Sequence, residues 1–343
     1  MTQWIVGVSL SVLLVLAMGV SVSAAAPGGP VGLIFDTDMG NDIDDALALS
    51  VIHALETRGE CKLLAVTSSK DNKFSAPFVD AVNTFYGRGD IPIGVVRDGK
   101  EKGDGTYLRP VCEARDGDSL RYPHKLMSGE DAPEAVGLLR KVLAAQPDGS
   151  VILVVVGFST NPARLLDSKA DEHSPLSGAE LVAKKCRLLS NMAGHFAEGK
   201  KHKEYNIVLD IPAAQKVYDE WPTPIVTSGY EIGVAITYPA TSIERDFNYV
   251  PHHPVAAAYR AYMKFPYDRP TWDLTSVLYA VRPDRDYFGL SAPGVIAADA
   301  EGVTTHAPQA DGGHRFLIAT PEQIIRVREA LVQLASQPPC AKP

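Results

Sequence analysis

The sequence contains little cysteine, and its few cysteines are widely spaced. Cys61, Cys112, Cys186 and Cys340 show none of the close spacings of a metal-binding motif. Four cysteines in 343 residues also exclude a disulfide scaffold. Cys61 and Cys186 each open an apolar run and are expected in buried strands, whereas Cys112 and Cys340 could pair in an oxidising compartment.

Positive charge is scarce as well. Lys and Arg number 33 against 41 Asp and Glu, which gives a formal net charge of -8. A chain of this charge offers no basic field to phosphate backbones or anionic membranes, so nucleic acid is not expected as a partner. Small neutral molecules are better candidates.

No Gly/Ser-rich or Pro-rich linker divides the chain, so residues 27–343 are predicted to form a single domain. The segment before them differs, because Ile5 to Val22 is apolar or small almost throughout and is followed by Ser23 and Ala24. This pattern predicts a signal peptide over residues 1–26, cleaved after Ala24, and a secreted or periplasmic protein. No Lys or Arg precedes the run, and the alternative is an uncleaved membrane anchor.

Apolar runs alternate with amphipathic segments along the rest of the chain. The runs read VGLIF, CKLLAVT, IPIGVV and VILVVVG. This alternation predicts an α/β fold with an open, mostly parallel sheet and helices on both faces. Ligands of such sheets bind beyond the carboxyl ends of the strands, so the polar residues that follow each run are the candidates for a site.

Five aspartates follow the first run within ten residues: Asp36, Asp38, Asp42, Asp44 and Asp45. Carboxylates this close repel one another unless a cation neutralises them. Oxygen ligands of this kind select Ca²⁺ or Mg²⁺, and no His/Cys set for zinc stands nearby. The alternative is a solvated acidic turn that caps a helix beginning at Asp44, which five aspartates after a buried strand fit poorly.

Five segments, taken in order, resemble the inosine-uridine-preferring nucleoside hydrolase family. They are DTDMGNDIDDALAL, VTSSKDN, VGFSTN, EYNIVLDIPAA and WDLTSVLYA, and they extend from Gly32 to about Ala280. The resemblance implies a Rossmann-like core and a calcium-dependent enzyme of purine metabolism. Such an enzyme cleaves the N-glycosidic bond of ribonucleosides to ribose and free base.

The resemblance also implies the site residues. One Ca²⁺ per subunit would be held by Asp38, Asp45, the backbone carbonyl of Thr160 and the carboxylate of Asp273. The nucleoside would be bound by Asp44, Asn72, Glu204, Asn206 and Trp272. Asp38, Asn72 and Trp272 are the expected catalytic residues, with Asp38 taking a proton from the attacking water. Glu204 and Asn206 would face the same way on an extended chain.

Two departures from the family pattern concern the sugar. The turn from Asp38 to Asp44 is two residues longer than in the commonest form, which leaves open whether Asp42 takes the place of Asp44. An Asn that usually precedes the Glu-x-Asn segment is not evident, because GKKHKE stands there. A contact at the 5′ end of the sugar is therefore expected to be lost or altered.

A third departure is Trp272, which precedes Asp273 where many members have a His that protonates the leaving base. Tryptophan cannot donate that proton, but it can stack on a base, which favours purine substrates. Tyr107 or Tyr122 could supply a second stacking ring. The alternative is that Trp272 is a core aromatic residue at the start of a helix.

Two other functions remain open from the sequence. One is an extracytoplasmic binding protein for nucleosides or sugars without turnover. The other is a phosphatase of the haloacid dehalogenase type, although DTDMG lacks the small hydroxyl residue expected two positions after the second Asp. Assembly into a homo-oligomer also stays open.

Overall fold

The computed structural model describes Met1, residues 29–199 and residues 201–340. Apart from Met1, the predicted signal segment lies outside the described residues. Within the described residues, no helix has both the length and the apolar character needed to cross a bilayer.

The secondary structure follows the predicted alternation. The strands described are β1 (Val31–Thr37), β2 (Cys61–Ser68), β3 (Ile93–Val95), β4 (Arg115–Asp116), β5 (Ser119–Leu120), β6 (Val151–Val155), β7 (Cys186–Met192), β8 (Ile225–Ser228), β9 (Thr237–Tyr238), β10 (Arg269–Pro270), β11 (Gly289–Leu290), β12 (Gly294–Ala298), β13 (Thr304–Pro308) and β14 (His314–Ile318). The helices described are α1 (Asp44–Thr57), α2 (Ser75–Phe85), α3 (Leu108–Cys112), α4 (Ala135–Ala144), α5 (Thr160–Asp167), α6 (Gly178–Lys185), α7 (Tyr205–Leu209), α8 (Ile211–Glu220), α9 (Tyr230–Ala235), α10 (Ala240–Arg245), α11 (Pro254–Tyr262), α12 (Trp272–Val281) and α13 (Pro321–Ala335).

The central sheet has the strand order β13-β12-β14-β8-β7-β6-β1-β2-β3, with β11 paired to β14. The strands from β14 to β3 run parallel, and β11, β12 and β13 add an antiparallel margin. The predicted open, mostly parallel sheet is therefore confirmed. The chain builds outward from β1 to β3 in one direction and from β6 to β8 in the other. A crevice forms at such a reversal, here beyond the carboxyl ends of β1 and β6.

Both faces of the sheet are covered, which explains the unbroken apolar runs. On β1, Leu33 and Phe35 belong to a core that also contains α1, α2 and α12, whereas Ile34 belongs to a second core with α4, α5 and α8. Successive side chains of a strand point to opposite faces, so a strand buried on both sides must be apolar at every position.

Helix α1 carries two of the aspartates into this crevice. Its residues from Asp44 to Leu55 are all buried. The helix stops at Thr57 because Gly59 adopts a φ of 71°, and the Gly59 N–H bonds to the carbonyl of Glu56 at 2.9 Å. Acidic residues are favourable in the first turn of a helix, so Asp44 and Asp45 are placed where the helix dipole tolerates their charge.

Gly157 allows the ends of β1 and β6 to approach closely. A Cβ atom at this position would lie 2.6 Å from the backbone nitrogen of Asp38 and 2.4 Å from Oγ of Ser69. Any larger residue would push the two strand ends apart. Glycine after the β6 run is thus required by the close packing that forms the crevice.

The cysteines behave as predicted in part. Cys61 and Cys186 begin β2 and β7 and are buried. The suggested pairing of Cys112 with Cys340 is not found, because both are free; Cys112 is buried in α3 and Cys340 is exposed. The Cys112 thiol instead donates to the carbonyl of Phe74.

His53, in the middle of α1, is buried as a neutral ring. Its Nε2 lies 2.9 Å from Oδ1 of Asn83, the Arg88 guanidinium lies 3.5 Å from Nδ1, and the ring stacks on Tyr86. Burial and the charge of Arg88 lower the pKa of His53 from 6.5 to about 3. The unfolded chain therefore takes up a proton at this residue at a higher pH than the folded protein does.

We expect this proton uptake to destabilise the fold in acid. The stabilising contribution of neutral His53 is complete above pH 6.5 and is lost as pH falls toward about 3. In His53→Gln, the slope of unfolding free energy against pH between pH 6 and 4 should be shallower by about 1.4 kcal/mol per unit. Denaturant unfolding at several pH values measures it, with His173→Gln as the control. Equal slopes in His53→Gln and wild type would contradict this.

Candidate active site

A cavity of about 410 Å³ opens at the reversal point of the sheet, a volume suited to a small-molecule ligand. Its lining residues are Asp38, Asn41, Asp42, Asp44, Asp45, Val156, Met192, His202, Lys203, Glu204, Tyr205, Asn206, Val208, Tyr230, Trp272 and Asp273. The structure therefore brings together seven of the nine residues predicted from the sequence. The two that do not line the cavity are Asn72 and Thr160.

Asp44, Asp45 and Asp273 form a buried group of three carboxylates. One oxygen from each lies within 4.8 Å of the others. Asp45 Oδ1 accepts from the Thr37 hydroxyl, and Asp44 Oδ2 accepts from the Asp273 N–H at 3.1 Å. The second oxygen of Asp45 is buried and has no hydrogen-bond partner among the described residues. A buried acceptor without a donor is costly, and it indicates a ligand at this point.

The electrostatics of this group lead to the same conclusion. Burial, followed by the charges of the neighbouring aspartates, raises the pKa values of Asp44, Asp45 and Asp273 well above the usual range. Three ionised carboxylates at this separation need a compensating positive charge. Carboxylate oxygens are the ligands that hard divalent cations prefer, so these residues fit such an ion.

Asp38 lines the same cavity at the end of β1. Burial raises the pKa of its carboxyl to about 6, although the side-chain hydrogen bond from Asn41, 2.8 Å long, opposes this shift. Asn41 in turn accepts from the ammonium group of Lys70, whose side chain is 1% exposed. Sequence reasoning assigned no role to Lys70. A lysine two residues after a buried strand was the available signal, because a buried cation needs an acidic neighbour.

The turn between Asp38 and Asp44 is held by an ion pair. Asp42 accepts two hydrogen bonds from the guanidinium of Arg269, which comes from β10. Tyr107 fixes the same turn, since its hydroxyl accepts from the Gly40 N–H at 2.8 Å and donates to the Asp42 carbonyl at 2.6 Å. Tyr107 is fully buried, and so its ring is not available to stack on a ligand. The carboxylate of Asp42 is therefore already paired with a cation.

Glu204 and Asn206 lie together, but not on an extended chain as predicted. Glu204 is the N-cap of α7, where Oε1 accepts from the Asn206 N–H at 2.9 Å and Oε2 accepts from the N–H groups of Ile207 and Gly194. The Asn206 amide donates to the carbonyl of Val156 at 2.8 Å. The sequence suggested an extended segment, whereas a short helix begins at Tyr205. Its first N–H groups need acceptors, and the Glu204 side chain provides them. The cap bonds fix the orientation of the carboxylate.

The two predicted residues outside the lining make other contacts. The Asn72 amide donates to the carbonyls of Lys102 and Gly103 and to the carboxylate of Asp104, all at 3.0–3.1 Å. Asn72 therefore holds the loop of residues 102–104. The Thr160 hydroxyl donates to Asp210 at 2.6 Å at the start of α5.

His202, Tyr230 and Trp272 form an aromatic wall of the cavity. The ring centroids of His202 and Tyr230 are 4.2 Å apart, and those of Tyr230 and Trp272 are 5.6 Å apart with an angle of 27° between the ring planes. Trp272 Nε1 donates to the carbonyl of Tyr230 at 2.9 Å, and Arg269 lies 5.3 Å from the indole centroid. Trp272 begins α12 and packs against the core, and it also lines the cavity. Tyr230 and His202 were not predicted from the sequence.

Comparison with solved structures shows the same fold in known nucleoside hydrolases. A purine-preferring ribonucleoside hydrolase from Gardnerella vaginalis is 18% identical, with a TM-score of 0.65 over 89% of this chain and 99% of that one. An inosine-uridine preferring enzyme from Bacillus anthracis is 14% identical, with a TM-score of 0.63 and coverages of 89% and 99%. An inosine-guanosine nucleoside hydrolase is 19% identical, with a TM-score of 0.65 and coverages of 89% and 98%. A search of curated protein sequences found no significant match.

A family model matches most of the chain. The model of the inosine-uridine preferring nucleoside hydrolases covers residues 33–320, a range that contains every residue of the cavity lining. This match supports neither the phosphatase nor the binding protein without turnover that the sequence left open. The chain therefore belongs to the inosine-uridine preferring nucleoside hydrolase family and is a hydrolase of the N-glycosidic bond of ribonucleosides.

Proposed function

We propose that this hydrolase depends on Ca²⁺ and prefers purine ribonucleosides. The observation that carries the proposal is one cavity that holds both a buried carboxylate group and an aromatic wall. The carboxylates suit a divalent cation and the hydroxyls of a ribose. The aromatic wall suits the flat face of a base.

Asp45 and Asp273 would hold the cation together with the neighbouring carboxylates of the turn. The geometry groups Asp44 with this pair, whereas the family resemblance groups Asp38 with it. Asp45 and Asp273 belong to both sets and are therefore the decisive ligands. When bound, a divalent cation supplies positive charge that neutralises the carboxylates and makes a nearby water more acidic.

The chain's own residues would carry out the remaining steps. Asp38 accepts a proton from the water that attacks C1′ of the ribose, because its carboxyl group lines the cavity beside the residues proposed to hold the cation. Glu204 and Asn206 bind the sugar hydroxyls. The transition state resembles an oxocarbenium ion, so carboxylates held close to the ring stabilise the charge that develops there.

The purine preference rests on the aromatic wall. A purine presents a larger π-face than a pyrimidine and gains more from stacking, which is typically about 1–3 kcal/mol per base. Among the solved relatives, the enzyme from Gardnerella vaginalis is described as purine-preferring. This protein shares its fold.

Kinetics on a panel of nucleosides tests the proposal. Inosine and adenosine should show higher kcat/KM than uridine and cytidine, and chelation should remove activity on all four until Ca²⁺ is restored. Trp272→Ala should lower kcat/KM for purines by about 5- to 150-fold without preventing Ca²⁺ binding, and Trp272→Phe should retain part of it. A Trp272→Ala enzyme that matches wild type on every purine would exclude Trp272 from base binding.

A further inference from the structure

Within the part of the chain that the structure describes, His202 is the one histidine that lines the cavity. Its ring lies against Tyr230, which stacks on Trp272, so it belongs to the aromatic wall. This wall is where the leaving base is proposed to bind. His202 therefore places a proton-carrying ring in contact with the proposed position of the base.

Among the described residues, none occupies the ring nitrogens of His202 by a hydrogen bond, and the side chain is half-buried. By contrast, Glu204 is held by three backbone N–H groups and Trp272 Nε1 is bonded to a carbonyl. Of these cavity residues, His202 alone combines an uncommitted N–H donor with a ring that can carry a proton near neutral pH.

His195 lies next to the His202 ring, and the carboxylate of Glu231 lies next to His195. The His195 centroid is 5.5 Å from that of His202, and His195 Nε2 lies 4.0 Å from Glu231 Oε2. His195 Nδ1 is buried without a partner among the described residues. Burial and the charge of His195 lower the pKa of His202, whereas Glu231 opposes the shift. A lowered pKa makes the protonated ring a stronger acid and also reduces the share of His202 that is protonated at neutral pH.

We propose, building on the proposed function, that His202 donates the proton that the departing base requires. As the C1′–N bond breaks, its electron pair moves onto the base, and the imidazolium N–H of His202 transfers its proton to a ring nitrogen of that base. The water oxygen bonds to C1′, and the proton released from the water goes to Asp38. His202 then regains a proton from solvent and Asp38 loses one, which restores the enzyme.

Leaving-group dependence tests this role. Inosine needs a proton on its base, whereas p-nitrophenyl β-D-ribofuranoside releases a stable phenolate and needs none. His202→Gln and His202→Phe should each lower kcat for inosine by about 10²- to 10³-fold and change kcat for the nitrophenyl riboside by no more than about threefold. The Phe variant keeps an aromatic ring against Tyr230, so it separates proton donation from stacking. His173→Gln, at a half-buried histidine paired with Glu172, is the matched control.

Equal losses of kcat on both substrates, or wild-type kcat on inosine in both variants, would overturn the role of His202. Thermal unfolding of each variant separates a folding defect from a catalytic one. The wild type is assayed on inosine first. Failure of the proposed function therefore appears as absence of base release by the wild type, not as a difference between variants.

Discussion

Asp45→Asn and Asp273→Asn are each expected to lower kcat/KM for inosine by about 10²- to 10⁴-fold. Each change removes a charged oxygen from the buried group proposed to hold Ca²⁺, and removal of one partner from a buried charge interaction typically costs about 3–5 kcal/mol. Asp311→Asn, which changes an exposed aspartate, should leave kcat/KM unchanged. Steady-state kinetics at saturating Ca²⁺ measures all three.

The same variants should not lose stability when the metal is absent. In chelator, Asp45 repels Asp44 and Asp273, so the neutral amide should leave the melting temperature equal to that of wild type or raise it. Addition of Ca²⁺ should raise the melting temperature of wild type and have little effect on the variants. Variants that keep wild-type kinetics, or that Ca²⁺ still stabilises fully, would contradict the assignment.

Asp38→Asn is expected to lower kcat by about 10²- to 10⁴-fold, because an amide cannot accept the proton of the attacking water. The amide has the same shape as the carboxyl group, so the contact with Asn41 can remain. The nitrophenyl riboside should be affected as strongly as inosine, since both require activated water. This pattern distinguishes Asp38 from His202.

Asp42→Asn is the matched control within the same turn. Asp42 is paired with Arg269, so its replacement should affect kcat much less than that of Asp38. Measuring kcat of both variants on inosine under the same conditions tests this difference. Equal kcat values in Asp38→Asn and wild type, or a larger loss in Asp42→Asn, would show that a residue other than Asp38 accepts the proton of the attacking water.

The fold could be predicted because a strand that is buried on both faces is apolar at every position, and this pattern is visible in the sequence of one strand alone. Runs such as VILVVVG contain no polar residue. The strand β6 formed by this run lies in the middle of the parallel sheet, where both of its faces are covered. The antiparallel margin of β11, β12 and β13 was not predicted. In β12, exposed and buried residues alternate, and short alternating runs near the end of a chain give a weak signal.

The site was predictable where one motif supplies neighbouring groups. Asp44 and Asp45 lie together because they are adjacent in the first turn of α1. The partner of Asp42 could not be predicted, because Arg269 is 227 residues away in the sequence. The contact between His202 and Tyr230 could not be predicted from the segment GKKHKE for the same reason. It depends on how α9, which carries Tyr230, packs beside the cavity.

Product analysis of inosine cleavage tests the central claim most directly. The purified protein is incubated with inosine and Ca²⁺ in phosphate-free buffer, and the products are separated by chromatography with and without chelator. We expect equal amounts of hypoxanthine and free ribose, with no products in chelator until Ca²⁺ is returned. Intact inosine after prolonged incubation with Ca²⁺, or an unchanged rate in chelator, would contradict a calcium-dependent nucleoside hydrolase.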